Sequence, residues 1–486
     1  MMSKKNSIII LIIIFLLASF FRFYNLERIP PGLYPDEAAN GNNALEALKT
    51  GNFKVFYQDN NGREGLFINL ISYSIKYLGL KPISIRIISA IIGSLTIFGI
   101  YLLTKTLFLN ECLSLLSSFF LAISFWHINF SRIGFRGILV PFFLTFSFYF
   151  LWQGLKKNDF FKITIAGFIF SLGFYSYIAY RFAVLLLVLV FLVDLLKRQK
   201  SQKNNLFWQK WFFLFLVIFI FSLPLLNYFY HHPEDFASRT KQVSVFSDKH
   251  PFLSFLKSLT TSLLMFNFKG DGNWRHNLAG QPELFFFQGF LFLLGIFLTL
   301  KKIKRPEMVF ILSWLIIMIL PAALTKEGLP HALRSIGAIP SVYILVALGG
   351  EFLLQESKKF LSPKKRNIFF ASLLLFLTLI SFYRYFFVWA NKQEVKEAFN
   401  LNYLLEGQHL NSLPKEIPKY VICWAKGVPF QERGEKRFLP MNCQTIMFIS
   451  NTFLPEGRKE KNVYYLLPEE TKNIFKKEKK VIISIR

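Results

Sequence analysis

The chain has 486 residues, of which 53% are hydrophobic and 60 are phenylalanine, with a formal net charge of +28. Its apolar residues run in uninterrupted blocks of membrane-spanning length rather than at the spacing of a half-buried surface, which excludes an ordinary soluble domain. The basic residues lie in short loops between these blocks and not on one face of a soluble module, which excludes a nucleic-acid binder.

In chain order, a first apolar block at 8–24 follows Lys4 and Lys5. No small-residue cleavage site precedes Arg22, so this block is expected to stay as an anchor and not to leave as a signal peptide. The stretch "PPGLYPDEAANGNNALEALKTG" follows and sets Asp36 and Glu37 side by side. Pro35 suits a first helical position, and acids in a first turn are favoured by the helix dipole, so a plain helix start is one reading of the pair. Asn40 and Asn43 share the helical face of Asp36, so a polar, chemically active face is the other.

The block at 66–80, "LFINLISYSIKYLGL", reaches only about 22 Å as a helix, short of a hydrocarbon core of about 30 Å. With Asn69, Ser72 and Lys76 on one face, it is expected to lie on the membrane surface. Further spans are expected near 84–105, 112–130, 138–155, 161–179, 182–196, 210–229, 284–300, 307–324, 335–354 and 367–388, about eleven with the first.

Basic clusters fix the orientation. Lys4 and Lys5, Lys156 and Lys157, "KRQKSQK" from Lys197, "KKIKR" from Lys301 and "KKFLSPKKR" from Lys358 each border a span. Under the positive-inside rule they face the cytoplasm. The amino terminus is then cytoplasmic and the carboxyl terminus extracytoplasmic, and the loops at 25–83, 131–137, 180–181, 230–283 and 325–334 face outward.

Beyond Trp389 the composition changes. Polar helical sequence at 391–410 gives way to "KYVICW", "QTIMFIS", "VYYLL" and "KVIISI", read as short strands, with a helix near 469–478. The domains are therefore 1–388, a membrane domain with the outer loop 25–83, and 389–486, a small extracytoplasmic α/β domain. Cys112 begins a span; Cys423 and Cys443 are placed on neighbouring strands, where an outward location would let them oxidise. No Walker, Rossmann or zinc-ligand spacing is present, and no internal repeat.

The order of anchor helix, "Pro-x-x-Tyr-Pro-Asp-Glu" loop, helix ending in "ALKTG" and "NNGREGLF" resembles the first outer loop of glycosyltransferase family 39, which includes the protein O-mannosyltransferases and the lipid A aminoarabinose transferases. "FSRIGFRGILVPF", "GFYSYIAYRFAVLLL", "GDGNWRHNLAGQPELF" and "EGLPHALRSIGAIP" are similar to outer-edge motifs of bacterial members. The resemblance implies a GT-C fold in the plasma (inner) membrane. It further implies an inverting transfer of a sugar from a polyprenyl phosphate to an extracytoplasmic glycan, lipid or protein. Membrane lipids, the donor and the acceptor are the expected partners.

The resemblance maps the essential carboxylate to Asp36 as general base, with Glu37 ordering the loop or binding the acceptor. Such chemistry also needs positive groups on the departing phosphate. Arg132, Arg136, Arg181 and Arg334 lie near outer span ends, either snorkelling to head groups or converging on that phosphate, and His331 is placed with them. Many members carry a second acid after the "Ser-Arg" element. Here Gly134, Phe135, Arg136 and Gly137 follow without one, so Arg136 is read as a phosphate contact. Asn40, Glu64, Tyr177, Trp274 and His276 are candidates for acceptor binding or loop ordering. Glu64 with Arg63 is equally an ordinary ion pair, and Tyr175, Tyr177 and Tyr180 are equally interfacial aromatics. No cofactor is evident, and a divalent metal on the Asp36 and Glu37 pair has no ligand motif behind it.

A lipid-linked sugar flippase or other transporter is the alternative class, expected to show internal symmetry, broken helices or ionisable groups deep in its spans, whereas the charges here lie at span ends; a polysaccharide polymerase or ligase fits the same topology.

Overall fold

In hydrocarbon every backbone N–H and C=O must be satisfied within its own segment, so the apolar blocks are helices. The computed structural model describes residues 3–198, 204–424, 429–473 and 480–485. The Lys-rich stretch at 199–203 and the end of the helix expected near 469–478 lie outside them.

Among the described residues, eight helices are long and apolar enough to cross a membrane: Lys4–Phe23, Pro82–Phe108, Arg136–Lys157, Ile178–Leu196, Asn205–His231, Pro306–Ala323, Ile336–Lys359 and Pro363–Trp389. The other three expected spans are shorter helices. Segments 161–179 and 284–300 hold Phe160–Gly173 and Phe286–Lys301. Segment 112–130 is broken into Glu111–Ala122 and Phe125–Phe130, because Ser124 leaves the helical conformation and its Oγ accepts the His127 N–H at 3.0 Å. Leu66–Leu78 is a 13-residue helix, too short to span, as its length in the sequence implies.

The chain divides into two compact units. The first comprises the residues up to Tyr24, Ala90–Ser131 and Arg136–Tyr385. Without a hydrophobic drive between helices in lipid, close approach comes from small residues. Phe286–Lys301 and Ile339–Glu356 pack in this way: a Cβ at Gly295 would overlap the Leu345 carbonyl, and one at Gly349 would overlap that of Leu291. The first helix is pinned by buried Arg22, whose Nη1 donates to Ala18 O at 2.9 Å and Ala122 O at 3.1 Å.

The second unit comprises Asn25–Ser89, Arg132–Phe135 and the residues from Phe386 onward. It contains the helix Pro35–Thr50, a two-strand ladder of Phe56–Tyr57 with Arg63–Glu64, and the Leu66–Leu78 helix. Its carboxyl-terminal part has a three-stranded parallel sheet in which Lys419–Cys423 lies between Val463–Leu466 and Val481–Ile485. "QTIMFIS" is not a strand but the core of a helix, Cys443–Ser450. All eight residues of that helix are buried, so no alternating pattern marked either structure, and short apolar runs are ambiguous on this ground. A hairpin of Pro429–Gln431 with Phe438–Pro440 was not expected. Cys423 and Cys443 form a disulfide with Cα atoms 6.4 Å apart, joining a strand end to a helix start and not two neighbouring strands.

The Cys443–Ser450 helix covers the helix that begins at Pro35. Asn42 donates to Gln444 O at 3.0 Å and to its side-chain oxygen at 2.6 Å, and Thr445 Oγ1 donates to Leu33 O at 2.9 Å. Gly41 leaves room for the Phe448 ring, which a side chain there would strike.

Candidate active site

Pro35 opens its helix as the sequence suggests, and the two acids that follow have opposite surroundings. Glu37 is fully buried. Its Oε1 lies 3.0 Å from Arg86 Nε and accepts the Gly134 N–H at 2.8 Å; its Oε2 accepts from Arg86 Nη2 and from the Tyr34 N–H, each at 3.2 Å. Arg86, itself buried, also donates to Pro30 O at 2.7 Å and Gly32 O at 2.8 Å. Asp36 is half-buried, and among the described residues its Oδ1 accepts from Asn60 Nδ2 at 2.8 Å. One carboxylate is built into the scaffold, and its neighbour retains acceptor capacity.

The polar face around them is braced by Arg63. This buried guanidinium donates to Asn40 Oδ1 at 2.7 Å, to Asn43 Oδ1 and to Asp59 O at 3.2 Å, while Asn40 Nδ2 donates to Gly134 O at 2.9 Å. Asn40 thereby links Arg63 to the Gly134 backbone. Glu64 is buried opposite Phe56 in the short ladder. Asp59 bonds Asn43 and Arg433, and Arg433 also pairs with Glu46 at 2.9 Å. Burial alone would raise the Asp59 carboxyl, yet Arg433, Asn43 and Arg63 together hold it below its ordinary value.

Arg132 is fully buried in the same unit, two residues before Gly134. Its Nη2 donates to Ile29 O at 2.9 Å, and its guanidinium lies 4.9 Å from the centre of the Phe386 ring.

The remaining candidates belong to the first unit. Arg136 stacks over Tyr177 at 5.3 Å, and Arg181 over Phe236 at 4.3 Å while donating to the Phe236 carbonyl. Arg334 Nη1 donates to Thr325 Oγ1 at 2.7 Å and Glu327 O at 2.8 Å. His276 and His331 are brought together, with ring centres 5.0 Å apart. Between them in the network is Asp271, whose Oδ2 lies 2.8 Å from His276 Nδ1 and accepts the Ala332 N–H at 2.8 Å. Half-buried Trp274 lies in the turn that carries His276. Buried Glu283 accepts the Asp271 N–H at 3.1 Å; burial first, and then the Asp271 charge, raises its carboxyl well above the usual range.

Sequence reasoning missed Arg86, Asp59, Arg433, Asp271 and Glu283. For Asp271 a signal existed, since it stands in the quoted "GDGNWRHN" run five residues before His276. For Arg86 the signal was a charge near the start of a mainly apolar helix, where an ionisable group normally has a partner.

The membrane-length helices and the fold mark a multi-pass membrane protein with the GT-C fold. Residues 66–225 match the family model described as dolichyl-phosphate-mannose-protein mannosyltransferase, and the chain resembles glycosyltransferase family 39. It is similar in fold to the oligosaccharyltransferase AglB of Archaeoglobus fulgidus, solved with an inhibitory peptide and a dolichol-phosphate. That likeness has a TM-score of 0.55 and 13% identity, covering 96% of this chain and 69% of AglB. It is likewise similar to ArnT of Cupriavidus metallidurans bound to undecaprenyl phosphate, with a TM-score of 0.56 and 13% identity, covering 95% of this chain and 90% of ArnT. No curated protein sequence matches the chain.

Proposed function

We propose that this protein transfers a sugar from a polyprenyl-phosphate donor to an extracytoplasmic acceptor, with inversion at the anomeric carbon. The observation that carries the reading is the unequal treatment of the two adjacent acids. Glu37 is consumed by Arg86 and Gly134, whereas Asp36 is half-open and, among the described residues, bonded by Asn60. A general base must reach an incoming hydroxyl, and Asp36 is the member of the pair able to do so.

In this mechanism the acceptor hydroxyl gives its proton to Asp36 while its oxygen bonds to the anomeric carbon. The bond from that carbon to the lipid phosphate breaks on the opposite face, and the phosphate leaves with the electron pair. Arg132 is assigned to the departing phosphate, as a guanidinium matches phosphate oxygens. Arg136, Arg181, Arg334 and His331 keep their assignment to the lipid-phosphate head group, and Tyr177, Trp274, His276 and Glu64 theirs to acceptor binding or loop ordering. Glu37 and Asn40 hold the loop. ArnT with undecaprenyl phosphate and AglB with dolichol-phosphate support a lipid-phosphate donor.

The proposed setting is the plasma membrane with the amino terminus inside and the carboxyl terminus outside. The basic clusters beside the spans and the Cys423–Cys443 disulfide support it. The test is mass analysis of surface glycans and glycolipids in a strain lacking the protein, complemented with wild type or with Asp36→Asn. A sugar species lost on deletion and restored only by wild type is expected. An unchanged envelope, or full restoration by Asp36→Asn, overturns the reading.

A further inference from the structure

Two loops far apart in sequence converge on Asp271, His276 and His331, and nothing in the transfer chemistry above uses them as a set. The geometry points to a binding site for a divalent transition-metal ion of the zinc and cobalt class on these three side chains.

The donor atoms of the three residues all lie within 4.8 Å of one another. The closest pair, His276 Nδ1 and Asp271 Oδ2, is 2.8 Å apart, against an edge of about 3.3 Å in a tetrahedron with metal bonds of about 2.0 Å. A cation therefore requires side-chain shifts of about an ångström to be held by all three. Two imidazoles and one carboxylate suit zinc, cobalt or ferrous iron, whereas magnesium and calcium prefer oxygen ligands. Three protein ligands also leave a fourth position for water or a ligand oxygen, the pattern of an open site.

The surroundings hold these groups in place, as a metal site requires. Asp271 Oδ1 accepts the Asn273 N–H at 2.8 Å, and Oδ2 accepts the Ala332 N–H at 2.8 Å, which ties the 270–285 loop to the 327–340 loop. Asn129 Nδ2 donates to Arg275 O at 2.7 Å, and Trp126 Nε1 donates to Ala332 O at 3.2 Å, anchoring both loops to the Phe125–Phe130 helix. The Phe130 ring lies 5.5 Å from that of His276. A second, independent feature is Glu283, which is 3% exposed and whose Oε2 has no hydrogen-bond partner among the described residues. Its other oxygen accepts the Asp271 N–H and so holds the backbone of that residue in place. A second group of potential ligands, His232, Glu234 and Asp235, is more open, with the His232 side chain 43% and the Glu234 side chain 67% exposed, and it serves as the internal control.

Metal binding here does not depend on which reaction the protein runs, so it is read without activity. Tag-free, chelator-treated full-length protein in detergent is titrated with Co²⁺, and the visible d–d absorption of the bound ion is recorded. Wild type is expected to take up one ion per chain with tetrahedral-type bands. His276→Ala or His331→Ala should weaken uptake by more than the roughly 10- to 100-fold that loss of an outer hydrogen-bonding partner costs. His331→Cys should add a thiolate-to-cobalt charge-transfer band, a gain that a misfolded variant does not give. His232→Ala should change nothing. Wild type without d–d bands overturns the site, as does uptake that survives the double His276→Ala/His331→Ala change or vanishes only with His232→Ala.

Discussion

The Arg86 guanidinium grips the Glu37 carboxylate through two contacts, Nε to Oε1 at 3.0 Å and Nη2 to Oε2 at 3.2 Å, with both side chains fully buried. The pair fixes the first turn of the helix beginning at Pro35, and so fixes where Asp36 stands.

Exchanging the two acids one at a time should therefore give opposite defects. Asp36→Asn should lower sugar transfer by about 100- to 10,000-fold with unchanged thermal unfolding, as for loss of a general base. Glu37→Gln should first lower stability, because it leaves the buried Arg86 charge uncompensated. Transfer assays and melting curves on both purified variants decide this; wild-type-like transfer by Asp36→Asn sinks its role.

Arg86→Met should destabilise by about 3–5 kcal/mol, the usual cost of leaving one partner of a buried ion pair alone. The double change Arg86→Met/Glu37→Gln should recover part of that loss, since no charge is then stranded. Non-additivity in a double-mutant cycle is the measurement, and simple additivity would contradict the pairing.

Arg132→Ala and Arg334→Ala test the donor phosphate. Each residue also donates to protein oxygens, Arg132 to Ile29 O and Arg334 to Thr325 Oγ1 and Glu327 O. A phosphate contact should show as weaker donor affinity by about 1.5–3 kcal/mol, the worth of a charge-assisted hydrogen bond. If KM for the lipid donor stays constant and only the melting temperature falls, these residues hold loops and nothing more.

Asp59 gives a pH prediction. Its folded-state carboxyl lies below the ordinary value of 3.8, with burial opposing and Arg433, Asn43 and Arg63 overriding it. The stability it contributes is thus present above that ordinary value and lost as pH falls through the depressed folded value. Asp59→Asn should flatten this acid limb of a melting-temperature profile, and Arg433→Ala should cost on the order of 1–2 kcal/mol at neutral pH. An acid limb identical in Asp59→Asn and wild type would refute the assignment.

The Cys423–Cys443 disulfide links topology to chemistry. Protein taken from intact membranes under thiol-blocking conditions should yield a linked peptide pair in a non-reducing digest. A membrane-impermeant protease should clip the chain beyond Trp389 in spheroplasts. Free thiols together with a protected tail would place the carboxyl terminus in the cytoplasm.

Residue order alone determined that this is a multi-pass membrane protein, that its basic residues flank the spans, and that Asp36 with Glu37 follows the first apolar block. These are local properties: block length, charge beside a block, and a helix-start motif are all visible in short windows. The GT-C resemblance was legible for the same reason. Only the tertiary structure decided which acid is structural, because Arg86 lies 49 positions from Glu37 and Gly134 lies 97 away. The same holds for Asn42 meeting Gln444 across 402 positions and for Asp271 capturing the Ala332 amide across 61. "QTIMFIS" misled because a helix buried on every side has no polar stripe to betray its period. Segment 112–130 misled because hydropathy sums over the break at Ser124, whereas the break itself is a backbone conformation stabilised by one hydroxyl. Composition states what a segment can bury; its partners, and therefore which carboxylate stays open, follow from contacts that only the folded chain makes.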